Sequence, residues 1–322
     1  MKLGVFTPLF SQLSFEEMLD KVAAAGLQAV EIGTGGSPGR AHCDIDALLA
    51  SEEARQEYLG KLAAKNITIS AFSCHNNPIS PNKEEAKEAD ELLRKTIKLA
   101  ALMNVPVVNT FSGTAGDSEE ATAPNWPVVA WPDCYMHSYQ WQWENKLIPY
   151  WKEIAALADE QGIKIGIELH GGFLVHSPYT MLKLREATSD AIGANLDPSH
   201  MWWQGIDPVA AIKILGSKGA IHHFHAKDTY IDQDNVNMHG LLDMQPYGDL
   251  RNRSWYFRSV GCGHSMAVWS DIVSALRTYG YDYVMSIEHE DALMSVDEGF
   301  MRAVTNLKSI VIKDTPNDMW WA

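Results

Sequence analysis

Short runs of β-branched and apolar residues recur along this chain at 2–7, 29–32, 67–72, 105–111, 163–169, 192–197, 220–225 and 283–288, and amphipathic stretches separate most of them. Strand-like runs alternating with helical stretches define repeated βα units around a parallel sheet. The first helical stretch opens at Ser14 with Glu17 three residues on, a capping box, and stops at Gly26. Further helices are expected at 52–65, 83–103, 178–187, 208–215, 266–279 and 297–313. Eight such units in 322 residues predict an α/β fold, a closed (β/α)8 TIM barrel built as one domain over residues 1–314. Residues 315–322 are expected to be a C-terminal tail, with Trp320 and Trp321 as candidates to dock on the barrel or on a neighbour.

Two connections exceed ordinary length, at 112–137 and 229–264. Both follow expected strands, which places them at the C-terminal rim where barrel active sites lie. Their rings (Trp126, Trp131, Tyr135, Trp255, Tyr256) favour ordered packing over disorder. Stacking on a sugar is a second use for such rings.

Charge and cysteine content narrow the partners. Twenty-six Lys and Arg against 41 Asp and Glu give a formal charge of −15, which opposes binding to nucleic acid or to an anionic membrane. Cys43, Cys74, Cys134 and Cys262 are scattered without a CxxC pair, as expected of free thiols in a reducing compartment. The N-terminal apolar run is too short for a signal peptide, and no stretch approaches a membrane span, so a cytoplasmic location is expected. The aromatic loops offer a surface for a homo-oligomer.

The chemistry-bearing residues cluster where expected strands end. Ile167-Glu168-Leu169-His170, Leu196-Asp197-Pro198-Ser199-His200, His223-Phe224-His225-Ala226-Lys227-Asp228 and Ile287-Glu288-His289-Glu290 close the last four runs. One carboxylate at a strand end is commonly just ion-paired or solvated. Four consecutive strands ending in Glu168, Asp197, His225 and Glu288 converge on one pocket, where a cation relieves their repulsion. His223 and His225 share a strand face and His222 takes the other; His225, at the end, is the better ligand. Three carboxylates and one imidazole suit a single divalent ion, Mn or Mg first, with Co or Zn also compatible. His170, His200 and Lys227 lie close enough in sequence to contact substrate or to support the ligands. Glu31 and His75, after the second and third runs, are further candidate substrate contacts.

At these motifs the sequence resembles the xylose isomerase-like TIM-barrel superfamily, the sugar phosphate isomerase/epimerase group that includes D-tagatose 3-epimerase and inosose dehydratase. The resemblance runs along nearly the whole barrel. It implies a Mn- or Mg-like ion on Glu168, Asp197, His225 and Glu288, with Glu168 and Glu288 doubling as the acid/base pair and His200 touching substrate hydroxyls. Ile231 stands where the ketose epimerases carry an arginine six residues after the ligand histidine, so their particular substrate does not carry over. The Lys227-Asp228 pair and His170-Gly171-Gly172 indicate a different branch, for which keto-glycosides are candidate substrates and Asp228 a candidate substrate contact.

The expected reaction is isomerisation or epimerisation of a small-molecule sugar through an enediolate, with the two glutamates moving the proton. The same intermediate can expel a β substituent, which makes a lyase acting on a 3-keto-glycoside the alternative, with His170 as candidate acid. A phosphodiesterase of the AP-endonuclease kind shares this barrel but needs more metal ligands and a basic surface. A non-catalytic sugar-binding barrel needs no acid/base pair.

Overall fold

The computed structural model describes residues 1–314 and Trp321, and the expected docking of Trp320 lies outside the described residues. The strands in chain order are β1 (Lys2–Phe6), β2 (Ala29–Gly33), β3 (Thr68–Ser73), β4 (Val107–Thr110), β5 (Lys164–Glu168), β6 (Ile192–Leu196), β7 (Ile221–Ala226), β8 (Asp228–Ile231), β9 (Trp255–Arg258) and β10 (Val284–Ile287). Eight of them close a parallel barrel in the order β1-β10-β7-β6-β5-β4-β3-β2, while β8 and β9 pair separately as an antiparallel ribbon. This is the (β/α)8 fold expected from the alternation. Each strand-like run of the sequence overlaps one barrel strand, with ends that differ by a residue or two.

Alternation along a strand sends apolar residues out to the helices and small or polar ones into the barrel. In β5, Ile165 and Ile167 are fully buried, while Gly166 and Glu168 are the intervening residues. Gly166 is required: a Cβ there would lie 2.2 Å from Asn109 Oδ1. Ladder registers shift at Val30/Glu31 between β2 and β3 and at Ala194/Asn195 between β6 and β7. Both irregularities fall beside buried polar side chains, as bulges that re-aim a residue commonly do.

Helices follow their sequence signals. The first, Phe15–Ala24, carries the Ser14/Glu17 capping box, with both reciprocal bonds formed. The long helix Lys83–Met103 is capped by Asn82 and buries Leu93, Ile97, Leu99 and Met103. A helix at Ile148–Gln161, ended by Gly162 in the left-handed conformation, brings in Trp151, whose indole donates to Ser112 O at 2.9 Å.

The two long connections are ordered excursions rather than plain loops. In 112–137 a helix begins at Asp133 (Asp133–Gln142), and the buried amide of Gln142 donates to the carbonyls of Ala115, Gly116 and Asn125. The 229–264 segment contains most of the β8/β9 ribbon and the helix Gln233–His239. Its strand β9 alternates buried Trp255 and Phe257 with half-buried Tyr256 and Arg258, a period-two pattern only four residues long that the surrounding polar residues mask. Trp203, Trp255 and Phe257 form a small core of their own, against which Trp126 of the first excursion packs. No helix among the described residues is long and apolar enough to cross a membrane.

Candidate active site

The barrel interior holds polar side chains at two depths. Toward the C-terminal mouth stand Glu168, Asp197, His225 and Glu288, each offering one ligand atom, all within 4.8 Å of one another. The strands deliver them: Glu168 ends β5, Asp197 and Glu288 follow β6 and β10 by one residue, and His225 is the last but one residue of β7. Asp197 also caps the short helix Pro198–Trp202 through Ser199 N at 2.8 Å, which fixes its carboxylate.

Around these four, Glu168 has His200 Nε2 3.1 Å from Oε1 and His75 Nε2 2.9 Å from Oε2. His225 Nδ1 lies 2.9 Å from Glu288 Oε2 and 3.4 Å from Glu168 Oε2. The Lys227 ammonium, only 2% exposed, sits 3.2 Å from Asp197, 3.0 Å from Glu288 and 2.8 Å from Glu290. Burial opposes its charge, but Asp197, Glu288 and Glu290 more than compensate and hold it firmly protonated.

Negative charge is nonetheless in surplus. Burial raises the Asp197 carboxyl to about 7; Lys227 offsets part of this, and the charges of Glu288 and Glu168 push the same way as burial. Burial also opposes ionisation of Glu288, yet Lys227 and His225 bring it down to about 2. For Glu168, burial is outweighed by the His200 and His75 imidazoles and by His225, so it stays ionised. Asp197 Oδ2, His225 Nδ1 and Glu288 Oε2 are buried and have no hydrogen-bond partner of adequate geometry among the described residues. Lys227 and the His225 ring lie close to these oxygens but leave them without aligned hydrogen bonds. Three carboxylates converging with one imidazole make an oxygen-rich donor set that fits a hard divalent cation.

Below this set lies a second group: Glu31, His223 and His225. Glu31 accepts from Ser73 at 2.5 Å, Asn109 at 2.8 Å and Ser286 at 2.7 Å, and its oxygens stand 2.9 and 3.0 Å from His225 Nε2. His223 is held between Asn195 Oδ1 at 3.2 Å and Ser70 Oγ at 3.1 Å. Burial opposes charge on the His225 ring, but Glu31 below and Glu288 above outweigh it and hold the ring protonated, with Nε2 facing Glu31 and Nδ1 facing the upper group. A metal ion would take the place of the Nδ1 proton while Glu31 keeps the ring oriented.

A cavity of about 300 Å³ opens above, lined by Glu168, Glu288, His75, His170, His200 and Lys227 together with Phe6, Phe111, His289 and Glu290. Asp197 and His225 lie beneath its floor. Two expected substrate contacts are placed elsewhere. Glu31 is fully buried under His225, with its oxygens occupied as above. Asp228 is also fully buried; its carboxylate accepts from Gly261 N, Gly263 N, His264 N and the Trp269 indole, so it ties the end of the long excursion to the barrel. Neighbouring backbone donors and a passing indole saturate it, and nothing in the local sequence announces them.

His170 lines the cavity, as expected, but its Nδ1 faces the carbonyl of Gly171. A carbonyl only accepts, so Nδ1 carries the proton, and burial keeps the ring neutral. Its Nε2 is an acceptor rather than the acid anticipated for the cleavage alternative.

The polar residues that sequence reasoning missed stand two positions before those it found. Ser73 precedes His75, Asn195 precedes Asp197, and Ser286 precedes Glu288. Strand periodicity puts each pair on one face, so the signal was available. Phe111 and His289 became visible only when the mouth was assembled.

Fold and site together describe a TIM barrel carrying a carboxylate- and imidazole-lined pocket at its C-terminal mouth. The family described as xylose isomerase-like TIM barrel matches residues 19–310, and the chain belongs to it. An uncharacterized protein of Bacillus subtilis (strain 168), YfiH, is 37% identical over 314 residues, covering 97% of this chain and 99% of that one. Solved structures of similar fold include a D-tagatose 3-epimerase-like protein, 20% identical with a TM-score of 0.63 over 96% of this chain and 98% of that one. The probable 3-DHS dehydratase AsbF from Bacillus anthracis is 17% identical, with a TM-score of 0.64 over 96% and 99% of the two chains.

Proposed function

We propose that this protein is a divalent-metal-dependent carbohydrate isomerase or epimerase that acts on a keto-sugar or keto-glycoside through an enediolate. The observation that carries the reading is the convergence of Glu168, Asp197, His225 and Glu288 on one point under the cavity, with buried atoms that make no aligned hydrogen bond. These four residues would hold the ion, with Mn or Mg the best match to three carboxylates and an imidazole. A cation there supplies Lewis-acid polarisation of the substrate carbonyl and offsets the charge of an enediolate.

The remaining steps belong to the chain. Glu288 keeps 14% of its side chain exposed against 4% for Glu168, so it is the more open base and takes the proton from the carbon beside the carbonyl. Glu168, steadied by His75 and His200, serves the other face; it starts ionised, so it first takes a proton from solvent, and Glu288 gives its proton back to solvent after turnover. A proton returned to the same carbon from that face inverts it; a proton delivered to the neighbouring carbon isomerises the sugar. Lys227 offers a buried donor to a developing oxyanion. His170 Nε2 accepts from a hydroxyl, and Phe6 and Phe111 keep water from the reacting carbon.

Lys227 also favours a second reading, β-elimination from a 3-keto-glycoside. The C–H electron pair would form the new double bond as the β C–O bond breaks, and the Lys227 ammonium would give its proton to the departing oxygen. Incubation in deuterium oxide with a ketose and with a 3-keto-glucoside separates the two. Deuterium uptake without cleavage supports epimerisation, and aglycone release supports elimination. Glu168→Gln is expected to slow either reaction by roughly two orders of magnitude or more. Full turnover in that variant would leave only a sugar-binding barrel.

A further inference from the structure

The excursion between β8 and β10 walls a second cavity, of about 410 Å³, beside the first. His170 and Glu290 line both, so the two spaces share a boundary. The first sets carboxylates, imidazoles and the Lys227 ammonium beside Phe6 and Phe111. Apart from the shared His170 and Glu290, the second is walled by Tyr247, Tyr256, Phe257, Leu250 and Ala292, with no Lys or Arg among the described lining residues. Such a lining offers no cation to a phosphate and suits a neutral ring with an apolar face.

The aromatic wall is braced from behind. Phe257 meets the His200 ring edge-on at 5.3 Å and carries the Lys227 ammonium 4.5 Å from its centroid. Tyr247 stacks near Phe257 at 6.2 Å, and the Arg253 guanidinium lies 4.2 Å from the Tyr247 ring. Arg253 is 1% exposed and donates to Trp255 O at 3.0 Å, so it cannot drift. Yet Tyr247 itself remains 59% exposed. A ring fixed by a buried cation while its outer surface stays open is built as a stacking platform rather than as core.

We infer that this second cavity is a subsite for a ring joined to the reacting sugar, so that the substrate is a glycoside rather than a free monosaccharide. The inference rests on the carbohydrate reading of the first cavity and adds the leaving or spectator group to it. One cavity matches a single sugar ring, and the two together fall within the volume range of sites that enclose larger ligands. The occupant's shared chemistry is a neutral ring with an apolar face, whether an aromatic aglycone or a second pyranose.

The test uses the full chain with three probes, the methyl and 4-nitrophenyl 3-keto-β-glucosides and a cellobiose oxidised at C3 of its non-reducing ring. Deuterium uptake gives kcat/KM, and calorimetry with the three unoxidised glycosides gives binding without turnover. A two-ring probe is expected to exceed the methyl glycoside by about tenfold in kcat/KM, and Tyr247→Ala, on an exposed position, to shrink that ratio to about twofold. Preference for the nitrophenyl probe assigns an aromatic aglycone; preference for the disaccharide assigns a second sugar. Equal kcat/KM for all three in the wild-type protein overturns the subsite while leaving the enediolate reading intact. If no probe exchanges deuterium, but calorimetry keeps the two-ring preference and Tyr247→Ala removes it, the subsite stands and the enediolate reading falls.

Discussion

The barrel interior holds two acidic groups that share His225, and they have settled their charges in opposite ways. In the lower one, Glu31 is surrounded by Ser73, Asn109, Ser286 and His225, each aimed at a carboxylate oxygen. In the upper one, Asp197 Oδ2, His225 Nδ1 and Glu288 Oε2 are buried close to one another and to the Lys227 ammonium, yet make no hydrogen bond of adequate geometry. A carboxylate with its hydrogen bonds made is a structural part, whereas several converging without them, and outnumbering the cations beside them, form a site that favours a further positive charge. Residue type alone does not distinguish the two, since both contain carboxylate and imidazole within ligand spacing. Hydrogen-bond saturation does.

That contrast can be broken by three substitutions. The largest effect is expected from Glu31→Gln, which leaves His225 Nε2 and two hydroxyls without their carboxylate. Unfolding free energy should fall by about 3 kcal/mol, read from denaturant midpoints. Manganese affinity, by titration calorimetry, should weaken about tenfold or more because His225 loses its orientation. Unchanged stability would show that the lower group is not a structural part.

Asp197→Asn should act in the opposite direction on the metal-free protein. Because the folded carboxyl is raised to about 7 from its usual value, folding favours the protonated form. Its contribution to stability is present below the unfolded pKa and is lost as pH rises through about 7. Above pH 7 the amide, which can still cap at Ser199 N, should therefore raise stability, on the order of 2 kcal/mol, while metal binding collapses. Loss of metal-free stability at pH 8, measured by thermal melts, would contradict a surplus of negative charge in the upper group.

Ser286→Ala is the mildest probe. It removes one of several donors to Glu31, and about 1 kcal/mol of stability should go with it, with turnover falling less than in the Glu31 variant. A greater loss of turnover than of stability would mean that the lower group does more than hold His225.

Much of this was legible before folding was considered. The βα alternation predicted the barrel, and strand ends pointed to the four upper residues, because a parallel barrel gathers its C-terminal strand ends at one mouth. The same reasoning misassigned Glu31 and Asp228. Both sit near strand ends and look like rim carboxylates, but Asp228 meets backbone donors from Gly261 to His264, more than thirty residues away. Long-range partners of that kind leave no local periodicity to detect. The 229–264 excursion was visible only as an over-long connection, and its ribbon emerged once Trp255 and Phe257 had Trp203 to pack against.

By itself, the sequence determined the architecture and the inward set, since both follow from the two-residue period of a strand and the helical period between strands. Tertiary structure decided which carboxylate is saturated and which is exposed to a ligand, that His225 is held between Glu31 and Glu288, and that an aromatic wall extends the pocket. Those outcomes depend on which donors reach which oxygens across distant segments, and only chain closure brings them within hydrogen-bonding range.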